Sequence, residues 1–107
     1  MKRGDIVTIS VGGDYGKPRP ALIIQSDLFL ETASVTILPL TSHLIDTPLI
    51  RVQIKADKKN GLKKTSQVMI DKLLTTPREK VGDIIGCIQS SLMLEIERSL
   101  ALFIGIA

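Results

Sequence analysis

The apolar positions of this chain come mostly in short runs, and two different periods divide it. Residues 5–11, DIVTISV, are rich in β-branched side chains and predict a first strand. GGDYGKP, over 12–18, is turn material, because glycine permits positive φ and proline closes the loop. ALIIQ, over 21–25, is apolar without alternation, so it predicts a strand covered on both faces. Residues 26–34 form a connection with room for one helical turn. VTILPL, over 35–40, predicts a third strand, with Pro39 at a bulge or strand end because it lacks a ladder donor. A polar loop follows over 41–48.

LIRVQI, over 49–54, sets Ile50, Val52 and Ile54 against Arg51, Gln53 and Lys55, so one face of this strand should be wet. A lysine-rich turn over 55–66 centres on Asn60-Gly61, and QVMID, over 67–71, predicts a fifth strand. Residues 75–86 hold turns and a short sixth strand. The period then changes. Leu92, Ile96, Leu100 and Phe103 fall on one helical stripe, with Ser90 or Ser91 available as cap and Gly105 as stop. Many short strands followed by one amphipathic helix predict a mainly β protein, an antiparallel barrel or curled sheet with a C-terminal α-helix on one side. The 107 residues suit a single domain over 1–107.

Composition narrows the possible functions. Only three residues are aromatic, Tyr15, Phe29 and Phe103, too few for a platform that binds single strands by stacking. The formal net charge of +3 tolerates an anionic partner without requiring one. Cys87 has no second cysteine to pair with, and one cysteine with one histidine does not make a zinc site, so no metal and no cofactor are expected. A reducing cytoplasm is the simplest home. Met1-Lys2-Arg3 leads into Gly4-Asp5 and not into the apolar run of a signal peptide, and no run approaches the roughly 20 residues of a membrane span.

The usual catalytic sets are missing. There is no local signature of a Ser–His–Asp triad and no phosphate-cradling glycine loop. What stands out is Arg19, held between Pro18 and Pro20 at the start of a greasy strand, and Thr41-Ser42-His43 at the exit of another. The prolines restrict the backbone on both sides of Arg19, and a guanidinium offers a permanently charged fork suited to phosphate. Arg19 can equally be a surface ion-pair residue beside a proline-shaped turn. Thr41 and Ser42 can equally be the start of a loop. Histidine suits acid–base work, and His43 can equally be a solvated loop residue. The lysines Lys55, Lys58, Lys59, Lys63 and Lys64, with Lys17 nearer Arg19, are either a track for a polyanion such as a nucleic acid or a solvated surface.

RGDIV at 3–7, GKPRPALIIQSD at 16–27, ILPLTS at 37–42 and VMID at 68–71 together resemble the MazF/PemK family of toxins, in order and spacing, over nearly the whole chain. The resemblance implies an SH3-like barrel of the PemK/CcdB type with a C-terminal helix, working as a homodimer. It implies a ribosome-independent endoribonuclease that cuts single-stranded RNA at short sequences, without a metal. Attack by the ribose 2′-hydroxyl would leave a 2′,3′-cyclic phosphate and a 5′-hydroxyl. It also implies a cognate antitoxin whose disordered tail covers the RNA groove. Arg19 and Thr41 match the family's main catalytic positions, Asp71 matches an acidic position at the end of the fifth strand, and Ser42, His43 and Asp71 are candidates for catalytic support. The chain departs from many relatives at GGDYGK, at Lys72 and at Leu74, and it has Met69 where one branch carries a catalytic arginine. Two other classes compete. One is a same-fold toxin that binds DNA gyrase and cuts nothing. The other is an inactive SH3-like module, whose peptide groove would need more aromatic residues.

Overall fold

The computed structural model describes residues 1–10, 17–29 and 31–107. Their strands are β1 (Asp5–Ser10), β2 (Pro18–Ile23), β3 (Ser34–Thr41), β4 (Arg51–Ile54), β5 (Ser66–Met69), β6 (Leu74–Pro77) and β7 (Val81–Cys87), followed by the helix α1 (Ser90–Phe103). Every pairing is antiparallel, in the order β4-β5-β3-β2-β1-β7, with β6 beside β3. The expected class, an antiparallel β structure with a C-terminal helix, is what forms. The sheet does not close into a barrel, because β4 and β7 remain its two ends. Val11 and most of the expected 12–18 turn lie outside the described residues.

ALII lacks alternation because both faces of its strand are covered. Leu22 and Ile24 enter a large core with Ile6, Leu38 and Leu40. Ala21 and Ile23 enter a second core with Val7, Ile9, Val35 and Ile37. Strands β1, β2 and β3 thus form a double-faced spine, and burying one such aliphatic side chain is worth about 1.5–3 kcal/mol. On β4, which starts only at Arg51, the predicted alternation holds for Val52 and Ile54, buried, and Gln53, exposed, but Arg51 of the expected wet face is largely covered, its side chain 10% exposed.

The structure departs from the sequence pattern at several places. Pro39 is neither at a bulge nor at a strand end. It sits inside β3 just where that strand exchanges β6, paired through Ile37, for β5, paired from Leu40. This is a gap in one edge of the ladder, where a missing N–H costs nothing. The fifth strand stops at Met69, and Ile70–Lys72 form a 3₁₀ turn. Residues 75–86 supply parts of two strands, β6 and β7, with a 3₁₀ turn over Arg78–Lys80 between them. The helix begins at Ser90 itself, after Gln89, with no side-chain cap hydrogen bond, so neither serine caps it.

The helix stripe is Leu92, Met93, Ile96 and Leu100, all packed on the larger core. Phe103, one turn on, is 48% exposed, because the helix has by then run past the sheet. Gly105 ends it as expected: Ile106 N–H bonds to Ala101 O at 2.9 Å and Gly105 N–H to Leu102 O at 3.2 Å, the paired bonds of a Schellman stop. The Arg3-Gly4-Asp5 start is a strut. Arg3 reaches Glu97 of α1 at 2.7 Å and Ile24 O at 3.0 Å, and its own N–H donates to Asp27 at 2.8 Å. Among the described residues no helix is long and apolar enough to cross a membrane.

Candidate active-site groove

The open end of the larger core is a groove of about 510 Å³, and four groups of residues build it. The first is Lys17-Pro18-Arg19-Pro20. Arg19 lies opposite Ile9 and Pro20 opposite Thr8, so the first half of β2 is registered on β1 while its second half is anchored in both cores. Arg19 is exposed at the groove and stands on a backbone stiffened by prolines on either side.

The second segment is Leu40-Thr41-Ser42. Thr41 ends β3, opposite Gln67 of β5. Its Oγ1 accepts the His43 N–H at 3.1 Å, which closes a small hydroxyl turn. An oxygen that accepts through one lone pair keeps its own hydrogen to donate, so the Thr41 hydroxyl remains a donor for a ligand oxygen. The loop beyond is clamped by Gln67, 6% exposed, whose side-chain amide accepts Ile45 N–H at 3.1 Å and donates to Ile45 O at 2.9 Å.

The third segment is Gly61 to Lys64, with Ser66. Ser66 Oγ donates to Lys64 O at 3.0 Å. The fourth is Thr8 with Ile85 from across β1 and β7. Ile6 pairs with Gly86 but Val7 with Ile84, so Ile85 is an extra residue in the ladder. A bulge of this kind re-aims a side chain, and here Ile85 reaches the groove.

Lys17, Arg19, Thr41, Ser42, Lys63 and Lys64, all singled out in the sequence, therefore meet in one place. The others do not border it. Lys55, Lys58 and Lys59 fall on the far side of the Asn60-Gly61 turn, and His43 is exposed beyond Thr41. Asp71 is ion-paired with Arg51, a residue of β4 registered opposite Met69. Thr8, Leu62, Ser66 and Ile85 are lining residues that no sequence motif marked. A polar residue alternating with Val7 and Ile9 was the only available signal at Thr8. Among the described residues no three of histidine, cysteine, aspartate and glutamate are grouped to hold a metal.

Four cations and four hydroxyls line the groove, with no carboxylate among the described lining residues. Such a surface on a small antiparallel sheet carries the charges and hydroxyl donors that suit phosphate groups, with an arginine and a threonine both on its lining. The chain belongs to the PemK-like, MazF-like toxins of type II toxin–antitoxin systems, whose family model matches residues 2–104. It is 45% identical over 108 residues to a probable endoribonuclease MazF of Mycolicibacterium smegmatis, covering 100% of this chain and 99% of that one. Its fold matches the Mycobacterium tuberculosis toxin MazF-mt6 at a TM-score of 0.83 and 22% identity, over 96% of this chain and 98% of the other. It also matches an endoribonuclease in complex with its cognate antitoxin from a mycobacterial species, at a TM-score of 0.83 and 23% identity, over 100% and 97% of the two chains.

Proposed function

We propose that this chain is an endoribonuclease toxin that cuts single-stranded RNA in the groove, by attack of the ribose 2′-hydroxyl on the adjacent phosphorus. The observation that carries the reading is the convergence of Arg19 and Thr41 with Lys17, Lys63 and Lys64 in a groove free of carboxylates among its described lining residues. The 2′-oxygen–phosphorus bond forms and the phosphorus–5′-oxygen bond breaks. The 2′-proton passes to water and the departing 5′-oxygen takes up a proton. The products are a 2′,3′-cyclic phosphate and a 5′-hydroxyl. The ribose supplies its own nucleophile, so the protein's contribution is positioning and charge, and the reading requires no metal.

Negative charge grows on the non-bridging oxygens as the fifth bond forms. Arg19 meets it with a cation preorganised on a rigid strand, and Thr41 donates its free hydrogen to the same group. Ser42 adds a second hydroxyl, and His43 acts through its backbone N–H, which orients Thr41. The lysines hold flanking phosphates. The domain, 1–107, works in the cytoplasm as a homodimer. A cognate antitoxin laying an acidic, disordered tail along the same basic groove would silence it, in line with the antitoxin complex among its structural neighbours.

The test is incubation of purified protein with a long RNA in EDTA, with the cuts and end groups mapped. We expect discrete cuts with 2′,3′-cyclic phosphate ends, and losses of about 10²–10³ in rate for Arg19→Ala and for Thr41→Ala. No cutting of several RNAs by the parent protein, or undiminished cutting by Arg19→Ala, would overturn the reading.

A further inference from the structure

Between β4 and β5 the chain makes a turn that is more heavily built than a solvated lysine loop requires. Asn60 is 3% exposed at its centre. Its Oδ1 accepts the N–H of Asp57 at 3.1 Å and of Leu62 at 3.0 Å, and its Nδ2 donates to Lys55 O at 2.9 Å. Its own N–H donates to the Asp57 carboxylate at 2.7 Å. All the polar atoms of this side chain are engaged, and all of them on the loop itself.

The turn is also pressed against β7 backbone to backbone. Gly61 has φ +70°, and a Cβ there would stand 2.0 Å from Ile85 O. A Cβ on Gly86 would stand 2.3 Å from the carbonyl carbon of Asn60. Cys87 N–H donates to Lys59 O at 3.0 Å. The two glycines let the loop sit on the bulged strand with no side chain between them. Directly after this anchor come Leu62, Lys63 and Lys64, which line the groove alongside Arg19 and Thr41.

We infer that Asn60, with Asp57 as its partner, is a positioning residue for RNA binding. The pair holds the Leu62–Lys64 wall so that Lys63 and Lys64 meet two phosphates of the strand on which Arg19 acts. This rests on the proposed RNA-cleaving reading. A long lysine loses much side-chain freedom on binding, and a fixed backbone lowers the rest of the ordering cost. The brace therefore acts on substrate affinity and not on the chemical step.

The probe is a short single-stranded RNA spanning a mapped cut site, with 2′-deoxyribose at the cut nucleotide so that it binds without being cleaved. Its affinity is measured against salt for the parent protein, Asn60→Ala, Lys63→Ala/Lys64→Ala and the triple variant. The double lysine variant should lower the slope of log K against log salt by about 1.4, or about 0.7 per phosphate contact. Asn60→Ala, which removes no charge, should lower it by about 0.7 or more. On the cleavable RNA it should raise KM and leave kcat unchanged. In the Lys63→Ala/Lys64→Ala background it should have no further effect, since residues acting as a unit are not additive.

Asp57 keeps the inference testable if Asn60→Ala does not fold. On charge alone, Asp57→Ala should tighten RNA binding, whereas loss of the brace should weaken it. Asp57→Asn keeps an acceptor for the Asn60 N–H and should not weaken binding. Tighter binding by Asp57→Ala, an additive Asn60→Ala effect, or a fall in kcat at constant KM would each overturn the inference. A parent protein that binds no RNA would instead overturn the RNA-cleaving reading itself.

Discussion

Asp71 offers a sharp test, because motif and structure give it different work. In the fold its carboxylate receives Arg51 Nη1, and the two side chains are 21% and 10% exposed respectively. Nη1 also reaches Ile50 O at 3.3 Å, and the buried Nε has no acceptor among the described residues. Asp71 is thus the main compensation for a nearly buried guanidinium. Asp71→Asn leaves that charge without a counter-ion, and breaking a buried pair from one side costs about 3 kcal/mol, at the lower end here because Asp71 keeps some water. For a domain of this size that is a fall in Tm of about 12–20 °C. Replacing both partners together, Arg51→Met with Asp71→Leu, should restore most of the loss, since the desolvation penalty disappears with the charges. Urea unfolding gives the stabilities, and single-turnover cleavage is then measured well below both midpoints. We expect Asp71→Asn to cleave within a few-fold of the parent while it remains folded. An Asn variant as stable as the parent yet slower by about a hundredfold, a factor typical of losing a transition-state contact, would refute this reasoning and return Asp71 to the chemistry.

Two further substitutions test the fold that carries the groove. Gly61→Ala combines a left-handed backbone with a Cβ 2.0 Å from Ile85 O, so it should cost more than about 2 kcal/mol by urea unfolding, and an unchanged midpoint would contradict the close docking of the turn. Ile96→Ala empties a fully buried site between helix and sheet and should cost about 3 kcal/mol, read the same way; a loss below about 1 kcal/mol would mean that α1 is not seated on the larger core.

What could be read in the sequence is what local pattern determines. The run at Ala21–Ile24 could be read as a strand covered on both faces because that environment removes alternation, and the change to a helical period after residue 90 is equally local. The split of 75–86 between β6 and β7 was hidden, because its proline, glycines and charges resemble a loop until β1 and β3 supply pairing partners. Phe103 continued the helical stripe correctly but had no sheet left to pack on. The site divides in the same way. PRP and LTS are local motifs and both reached the groove. The lysine run is cut in half by its own Asn60-Gly61 turn, so only Lys63 and Lys64 face inward. Ile85 could not be found from sequence, since its placement depends on a ladder slip against β1.

The groove is held by two buried side-chain amides whose positions are not equivalent. Gln67 stands opposite Thr41 in the ladder and binds both polar groups of the Ile45 backbone, so the loop leaving Thr41 is pinned four residues on. Asn60 does the same for the chain that returns as Leu62–Lys64. Each satisfied bond contributes only about 1 kcal/mol net, but leaving its partners buried and unmet costs more, so the alternatives to the native loop are penalised more than the native loop is favoured. That asymmetry suits the proposed RNA site, whose loops would be held in place before the strand arrives. Loops that had to be ordered by RNA would consume the binding energy that ordering requires. The β1–β2–β3 spine fixes Arg19 and Thr41 from within the two cores, and the amides carry that rigidity outward to the residues proposed to meet the rest of the strand.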